Sequence, residues 1–479
     1  MTETTVVRGA EWIVAWDETE GQHVYLRGAD LAWRGREIVF VGRRYTGPAD
    51  LEIDGAGRML IPGLIDVHSH PSSEPGNKGL LEELGSPALG QSSLYEFMPA
   101  FRLPDHAADA ATEVAMAELL KSGVTTVVDI SMWRPGWIET MARTGIRAVV
   151  APMFRSASWR TADGHSVEYA WDEAAGEKGL QQAVETIDAA IRHPSGRLSG
   201  MMAPAQIDTC TVGLLREALA VAKQRDIPVQ LHAAQSVVEF DELTRRHGKT
   251  PIEWLDANGV LGPDLVIGHG IFLNDHPWIH WPHASDFARL VASGAQVAHC
   301  PTVFARRGIA LNTIGRYVEA GVTVGIGTDT FPHNLLEELR LACYAARVLT
   351  GSFKAATTAQ VFNAATVGGA TILRRTDIGR LVAGAKADLV SIDARHPLMQ
   401  PVREPIRSLV YSALDRAVRD VWVDGRQVVR DAAVLTIDVE RALAALCEGQ
   451  AEALRTTASR HFACRGADEL SPMVYPLRT

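Results

Sequence analysis

Cysteine is scarce in this chain of 479 residues: there are five (Cys210, Cys300, Cys343, Cys447 and Cys464), widely spaced and with no CxxC among them. That argues against a disulfide framework or a cysteine-built zinc site and suits a reducing, cytoplasmic compartment. Long hydrophobic runs are also missing. Gly, Arg, Asp or Lys interrupts every apolar stretch short of the roughly 20 residues that span a bilayer. The opening MTETTVVRGAEWIVAWDE has acids early and none of the unbroken apolar core of a secretory signal. Positive charge is in deficit, with 47 Lys and Arg against 57 Asp and Glu, the wrong sign for a partner made of phosphates. Solenoid-length repeats and low-complexity segments are absent. The composition, 47% apolar and 22% charged, is that of an ordinary globular protein. The partners expected are a small-molecule substrate and further copies of the chain, as a homodimer or higher homo-oligomer, with neither nucleic acid nor membrane.

After Pro62-Gly63 one pattern recurs: a short β-branched run, a polar loop, then a longer segment of helical periodicity. Eight runs follow it: MLIPGLIDV, GVTTVVDI, GIRAVVAPM, LSGMMAP, IPVQLH, DLVIGH, AQVAHC and GVTVGIG. Strands alternating with helices imply parallel pairing, and eight of them predict a closed (β/α)8 TIM-like barrel over 61–379, with an open doubly wound sheet as the alternative. Strand-like pieces also occur in 1–60 (HVYLRGADLAWRG, REIVFVGRR) and 380–435 (AKADLVSID, DRAVRDVWVDGRQVVRD). They predict a small composite β-sandwich domain built from both chain ends. Residues 436–479 read as a helix followed by an irregular tail.

His68 and His70 flank Ser69 at the end of an apolar run, so the period of two sends both imidazoles to one face of a strand. His232, His269, His299 and Asp329 each end another run, in VQLH, VIGH, QVAH and VGIGTD. In a barrel those ends meet at the carboxyl face. Three imidazoles and a carboxylate suit Zn2+ or Fe2+ and activate a water near neutral pH.

The motifs PGLIDVHSHP, GVTTVVD, HAAQ, GHG, AHCP and GTDT stand in the order seen in the amidohydrolase superfamily, and the sequence resembles that superfamily over most of its length. DIGRLVAGAKADLVSID and DVWVDGRQVV are similar to the chain ending of its cytosine/guanine deaminase and triazine hydrolase branch. The resemblance implies that His68, His70, His232 and Asp329 hold one divalent ion, Zn2+ before Fe2+. It assigns His269 to a hydrogen bond on the attacking water or the substrate, and Asp329 also to accepting the water's proton. Binuclear branches carry a lysine at the end of the fourth strand; LSGMMAPAQIDTCT has none.

Several positions depart from the branch. Gln235 stands where its deaminases have a proton-shuttling glutamate, Ala205 where a histidine contacts substrate, and Val303-Phe304 where Ser-Asn often follows the AHCP motif. An amide cannot exchange a proton near neutrality; Glu239, one helical turn on, and Glu74 are the candidate replacements. Gln235, Glu239, His299 and Trp133 are the expected substrate contacts, Trp133 and Trp137 by stacking at the rim. NDHPWIHWPHASDF reads as a lid or subunit contact, and Cys300 as packing. The activity expected is hydrolysis at a carbon–nitrogen or similar leaving-group bond of a small N-heterocycle. Amide, urea or carbamate hydrolysis at the same site is the alternative motivated by Gln235, and a catalytically inactive binding barrel the third reading.

Overall fold

The computed structural model of the protein describes residues 3–80, 85–309 and 314–478. Eight strands pair in chain order: β1 Leu64–Ser69, β2 Val124–Ser131, β3 Arg147–Phe154, β4 Leu198–Gly200, β5 Val229–Ala233, β6 Leu265–His269, β7 Gln296–His299 and β8 Val324–Ile326. β1 to β4 form one parallel set and β5 to β8 another. Isolated parallel bridges close both seams, Met202 to Val229 and Gln206 to His232 after β4, and Ser69 to Asp329 between β1 and the end of β8. The ring is a (β/α)8 barrel, with helices such as Ala108–Lys121, Glu173–Ile191 and Val212–Arg225 returning between strands. Side-chain caps start several of these returns: Thr211 accepts from the Leu214 amide, and Thr250 and Glu253 cap each other's backbone before Pro251–Ala257.

Strand parity aims the site. Ile65 and Val67 share an apolar cluster with Ala370 and Ile372 from the helix Gly369–Ile372, so the other parity of β1, which carries Asp66, His68 and then His70, is turned away from it.

The first sequence run divides where one strand was expected. Arg58–Pro62 joins a sheet outside the barrel, and β1 starts only at Leu64. The hinge is Gly63, where an added Cβ would stand 2.0 Å from Thr125 Oγ1. HVYLRGADLAWRG likewise yields two strands, Gln22–Leu26 and Ala29–Arg34, in different sheets, because Gly28 turns the chain at a φ of 58°. The fourth run breaks into β4 and a two-residue strand, Ala203–Pro204.

Outside the barrel, a four-stranded sheet uses only strands from the amino-terminal segment, whereas a seven-stranded sheet joins Trp12–Asp17, Gln22–Leu26 and Arg58–Pro62 to Leu389–Asp393, Val418–Val423, Arg426–Arg430 and Ala433–Val434, the two blocks meeting where Arg58–Pro62 pairs with Leu389–Asp393. Val7, Ile13, Leu31, Leu60, Leu389 and Trp422 share one buried cluster between them. Arg147, at the start of β3, forks onto Asp388 at 2.8 and 3.1 Å and reaches Asp424 at 2.6 Å, tying barrel to sheet through a fully partnered buried charge.

The helix Val439–Arg460 packs Ala442 and Leu446 on Ala111 and Val114. Its Gln450 amide donates to the carbonyls of Gly76 and Lys78 at 2.7 and 2.9 Å, pinning the loop that follows β1. Among the described residues no helix is long and apolar enough to cross a membrane.

Candidate metal centre

Donors from three strand ends and one loop meet at the carboxyl face of the barrel. His68, His70 and His232 bring ligating nitrogens within 4.8 Å of one another. Asp329 Oδ1 lies 3.5 Å from His68 Nε2 and 3.3 Å from His70 Nε2, and His70 Nε2 lies 3.2 Å from His232 Nε2. A tetrahedral site with bonds of about 2.1 Å has donor–donor edges of about 3.4 Å. The separations therefore fit one ion, and the four residues are those the sequence singled out.

The hydrogen bonds behind the rings say which nitrogen is free to ligate. His70 Nδ1 is 2.7 Å from the Ile130 carbonyl and His232 Nδ1 is 2.6 Å from the Ala205 carbonyl. A carbonyl only accepts, so both rings carry a proton on Nδ1, which leaves Nε2 as the nitrogen whose lone pair can ligate. Gln230 donates its Nε2 to the Val67 carbonyl at 3.0 Å, which turns its Oε1 onto His68 Nδ1 and fixes the same tautomer there. His68 Nε2 is buried without a hydrogen-bond partner. Lone pairs facing one another across 3.2 Å, with a carboxylate beside them, form a donor set that suits a cation. Despite burial, the neighbouring imidazoles, His269 foremost, hold the Asp329 carboxyl well below the usual carboxylate range, while burial and the other histidines press His232 well below its own.

His269 stands one step back. Its Nε2 is 3.9 Å from Asp329 Oδ2, its Nδ1 is buried without a partner, and the Phe304 ring closes on it at 4.8 Å. Burial pushes its imidazole down to about 3, so the ring is neutral. A competing donor set of His68, His269 and Cys300 is equally compact. Burial raises the Cys300 thiol far above neutrality, which keeps it protonated and a poor ligand.

The expected substrate contacts separate. Gln235 follows the strained turn at Ala234 (φ 54°), and its Nε2 is buried without a hydrogen-bond partner. Glu239 is turned back to the chain: Oε1 accepts from the Ala234 amide at 2.6 Å and Oε2 from the Gln235 amide at 3.2 Å, clamping that turn. His299 is buried at the end of β7 and bears electrostatically on His269. Trp133, 47% exposed, lines a surface depression with Glu185 and Ala189 that includes none of these histidines. Trp137 is buried and donates to Asp129 at 2.6 Å. Glu74 accepts from Thr330 Oγ1, one residue beyond Asp329. In the aromatic segment, Trp278 and Ile279 pack on an apolar cluster with Phe272 and Phe304, covering one side of the mouth.

Sequence reasoning did not reach Gln230 or the Arg306-Arg307 pair. Gln230 had a legible signal, the same strand face as His232 two residues on. The arginines had none.

The sequence profile of the amidohydrolase family matches residues 59–428. A 5-methylthioadenosine/S-adenosylhomocysteine deaminase from Halobacterium salinarum is 30% identical over 407 residues, covering 84% of this chain and 88% of that protein. An adenosine deaminase from Xanthomonas campestris, solved with bound zinc, superposes with a TM-score of 0.78 at 22% identity over 94% of this chain and 98% of that one. Atrazine chlorohydrolase from Arthrobacter aurescens TC1, solved with zinc, gives 0.76 at 22% over 93% and 100%. The two solved structures share the barrel fold. The profile covers all eight barrel strands and the carboxyl-terminal strands as far as residue 428, and the donor set sits at the strand ends within it: the chain belongs to the amidohydrolase family.

Proposed function

We propose that this protein is a mononuclear metal-dependent hydrolase that displaces an amino or similar leaving group from a carbon of a small N-heterocycle. The observation that carries the reading is the set of three Nε2 lone pairs and one ionised carboxylate at the edges of a single-ion site. His68, His70, His232 and Asp329 hold the ion, with zinc the first choice because the solved relatives contain it. A divalent cation there supplies a water acidic enough to ionise near neutral pH. Asp329 Oδ2, the oxygen turned to His269, accepts a proton from the attacking water. His269 orients that exchange as a neutral ring, and Gln235 Nε2 offers the substrate a hydrogen bond but no proton. Deaminase relatives support a carbon–nitrogen bond as the target. Gln235 favours a second reading, amide, urea or carbamate hydrolysis, in which no ring nitrogen has to be protonated.

The finer organisation belongs to the same proposal. Residues 1–60 and 380–435 form a composite β-sandwich domain, 61–379 the catalytic barrel, and 436–479 a helix and tail. The protein works in the cytoplasm as a homo-oligomer. Ammonia release from aminopurines, aminopyrimidines, aminotriazines and the two nucleosides named for the Halobacterium relative tests the first reading, with anilides, ureas and carbamates run alongside. Turnover of heterocycles alone upholds it. Turnover of only the open-chain set replaces it with the second, and none of either, with metal bound, overturns both.

A further inference from the structure

Two guanidinium groups stand at the mouth of the barrel with no carboxylate partner among the described residues. The short helix Pro301–Ala305 follows β7 and lays Phe304 against His269; the chain then turns through Arg306 and Arg307. Arg306 donates to Thr330 Oγ1 at 2.8 Å and to the Phe331 carbonyl at 3.2 Å, and its guanidinium lies 4.6 Å from the Phe331 ring centre. It thereby braces the loop beyond Asp329. Arg307 crosses to the other side of the mouth and donates to Ser93 Oγ at 2.6 Å. Two residues on, Tyr95 shares a hydrogen bond of 2.9 Å with Ser236, which adjoins Gln235. The loop holding Ser93 and Tyr95 therefore joins Arg307 to the turn that presents the unpartnered Gln235 amide.

Among the described residues neither guanidinium has a carboxylate partner, and Arg307 uses one of its five N–H groups on protein. Arg307 is part-buried, and a cation partly withdrawn from water without a counter-charge is stabilised when an anionic ligand completes it. Burial and the nearby Arg306 push Arg307 down to about 10, which leaves it charged at neutral pH. Among the described residues, Asp329 and Glu74 are the opposing charges that bear on it, and a divalent ion in the donor set would offset Asp329.

We infer that Arg307, flanked by Arg306, binds an anionic oxygen group carried on the substrate ring close to the reacting carbon, so that the preferred substrate is an anionic N-heterocycle such as a ring carboxylate. The inference rests on the hydrolase reading and adds the substrate's charge to it. Arg306 is a positioning residue for the Thr330 loop, whereas Arg307 makes the contact and sets specificity. Its planar guanidinium matches a carboxylate fork.

The test uses full-length zinc-loaded wild type, Arg307→Met and Arg307→Lys with matched aminopyrimidines bearing either a ring carboxylate or the isosteric carboxamide. One readout is the ratio of kcat/KM for the pair. A second, independent of turnover, is the ratio of dissociation constants for the corresponding hydroxypyrimidines by calorimetry. A charge-assisted pair predicts roughly a 30-fold preference for the carboxylate in wild type, falling below about 3-fold in Arg307→Met and intermediate in Arg307→Lys. Arg307→Lys alone carries the comparison if the Met variant does not fold. Equal or weaker binding of the carboxylate by wild type, an unchanged ratio in the variants, or binding of neither compound at millimolar concentration overturns the inference. An Arg307-dependent binding preference without turnover of these pyrimidines upholds it, and the hydrolase reading is then decided separately by the full substrate panel.

Discussion

The amide of Asp329 donates to the carbonyl of His68 at 2.7 Å, and the amide of His70 returns a bond to the carbonyl of Asp329 at 3.3 Å. This reciprocal pair sews the end of β8 to β1 at three of the four proposed ligands. Asp329 reaches it with a φ of 59°, a left-handed conformation that aspartate tolerates better than most residues. Gly327 permits the approach, since a Cβ there would stand 2.6 Å from His68 Cβ and 2.7 Å from its carbonyl oxygen. Gly327→Ala is therefore expected to lose about 1–3 kcal/mol of stability and to weaken metal binding at the same time. Urea unfolding and zinc titration read the two effects; a wild-type midpoint with wild-type affinity would refute the account of this seam.

Gln230 touches no substrate, yet it sets the tautomer of His68. Gln230→Leu keeps the volume and removes the acceptor. Zinc affinity should fall about 10–100-fold, as for other residues that orient a ligating histidine, while the fold survives. Competition with a chelator of known affinity measures it, and an unchanged constant means that His68 needs no such support.

Glu239 gives a pH-dependent effect. Burial, with the nearby Asp208, raises its carboxyl well above the usual range, so over the window above the ordinary carboxylate value the native state holds a proton that the unfolded chain releases. Stability contributed by this group is present at low pH and is lost as pH rises through that window. Glu239→Gln removes the titration and one of the two backbone contacts. It should be less stable than wild type near pH 5 by about 1–2 kcal/mol, with the deficit shrinking toward pH 8. A constant or widening deficit contradicts the assignment.

Much of the centre was legible because barrel geometry converts sequence position into space. His68, His232, His269 and Asp329 lie far apart in the chain, but each ends an apolar run, and strand ends share one face. What sequence could not supply was side-chain direction after the strands stop. Glu239 fitted a replacement acid by helical spacing and instead turns back on its own turn. Trp133 follows the second run as expected but faces the helix Glu173–Ile191. The break at Gly63 was hidden because MLIPGLIDV reads as one apolar run, and the Thr125 side chain that forces the hinge lies on another strand.

Gln235 separates the two chemical readings. A carboxylate at this position would repel negative charge developing on the substrate. Gln235→Glu should leave kcat/KM on the preferred substrate unchanged or lower it across the pH range. A clear gain shows that proton delivery was limiting and that the chemistry is that of an ordinary deaminase.

The most direct test of the central claim is elemental analysis of purified, metal-supplemented protein and its histidine variants. The account predicts about one divalent transition-metal ion per chain in wild type, near-complete loss in His68→Ala and His232→Ala, and retention in His269→Ala with turnover reduced by orders of magnitude. Two stoichiometric ions in the wild type, none at all, or equal loss from a folded His269→Ala would contradict it.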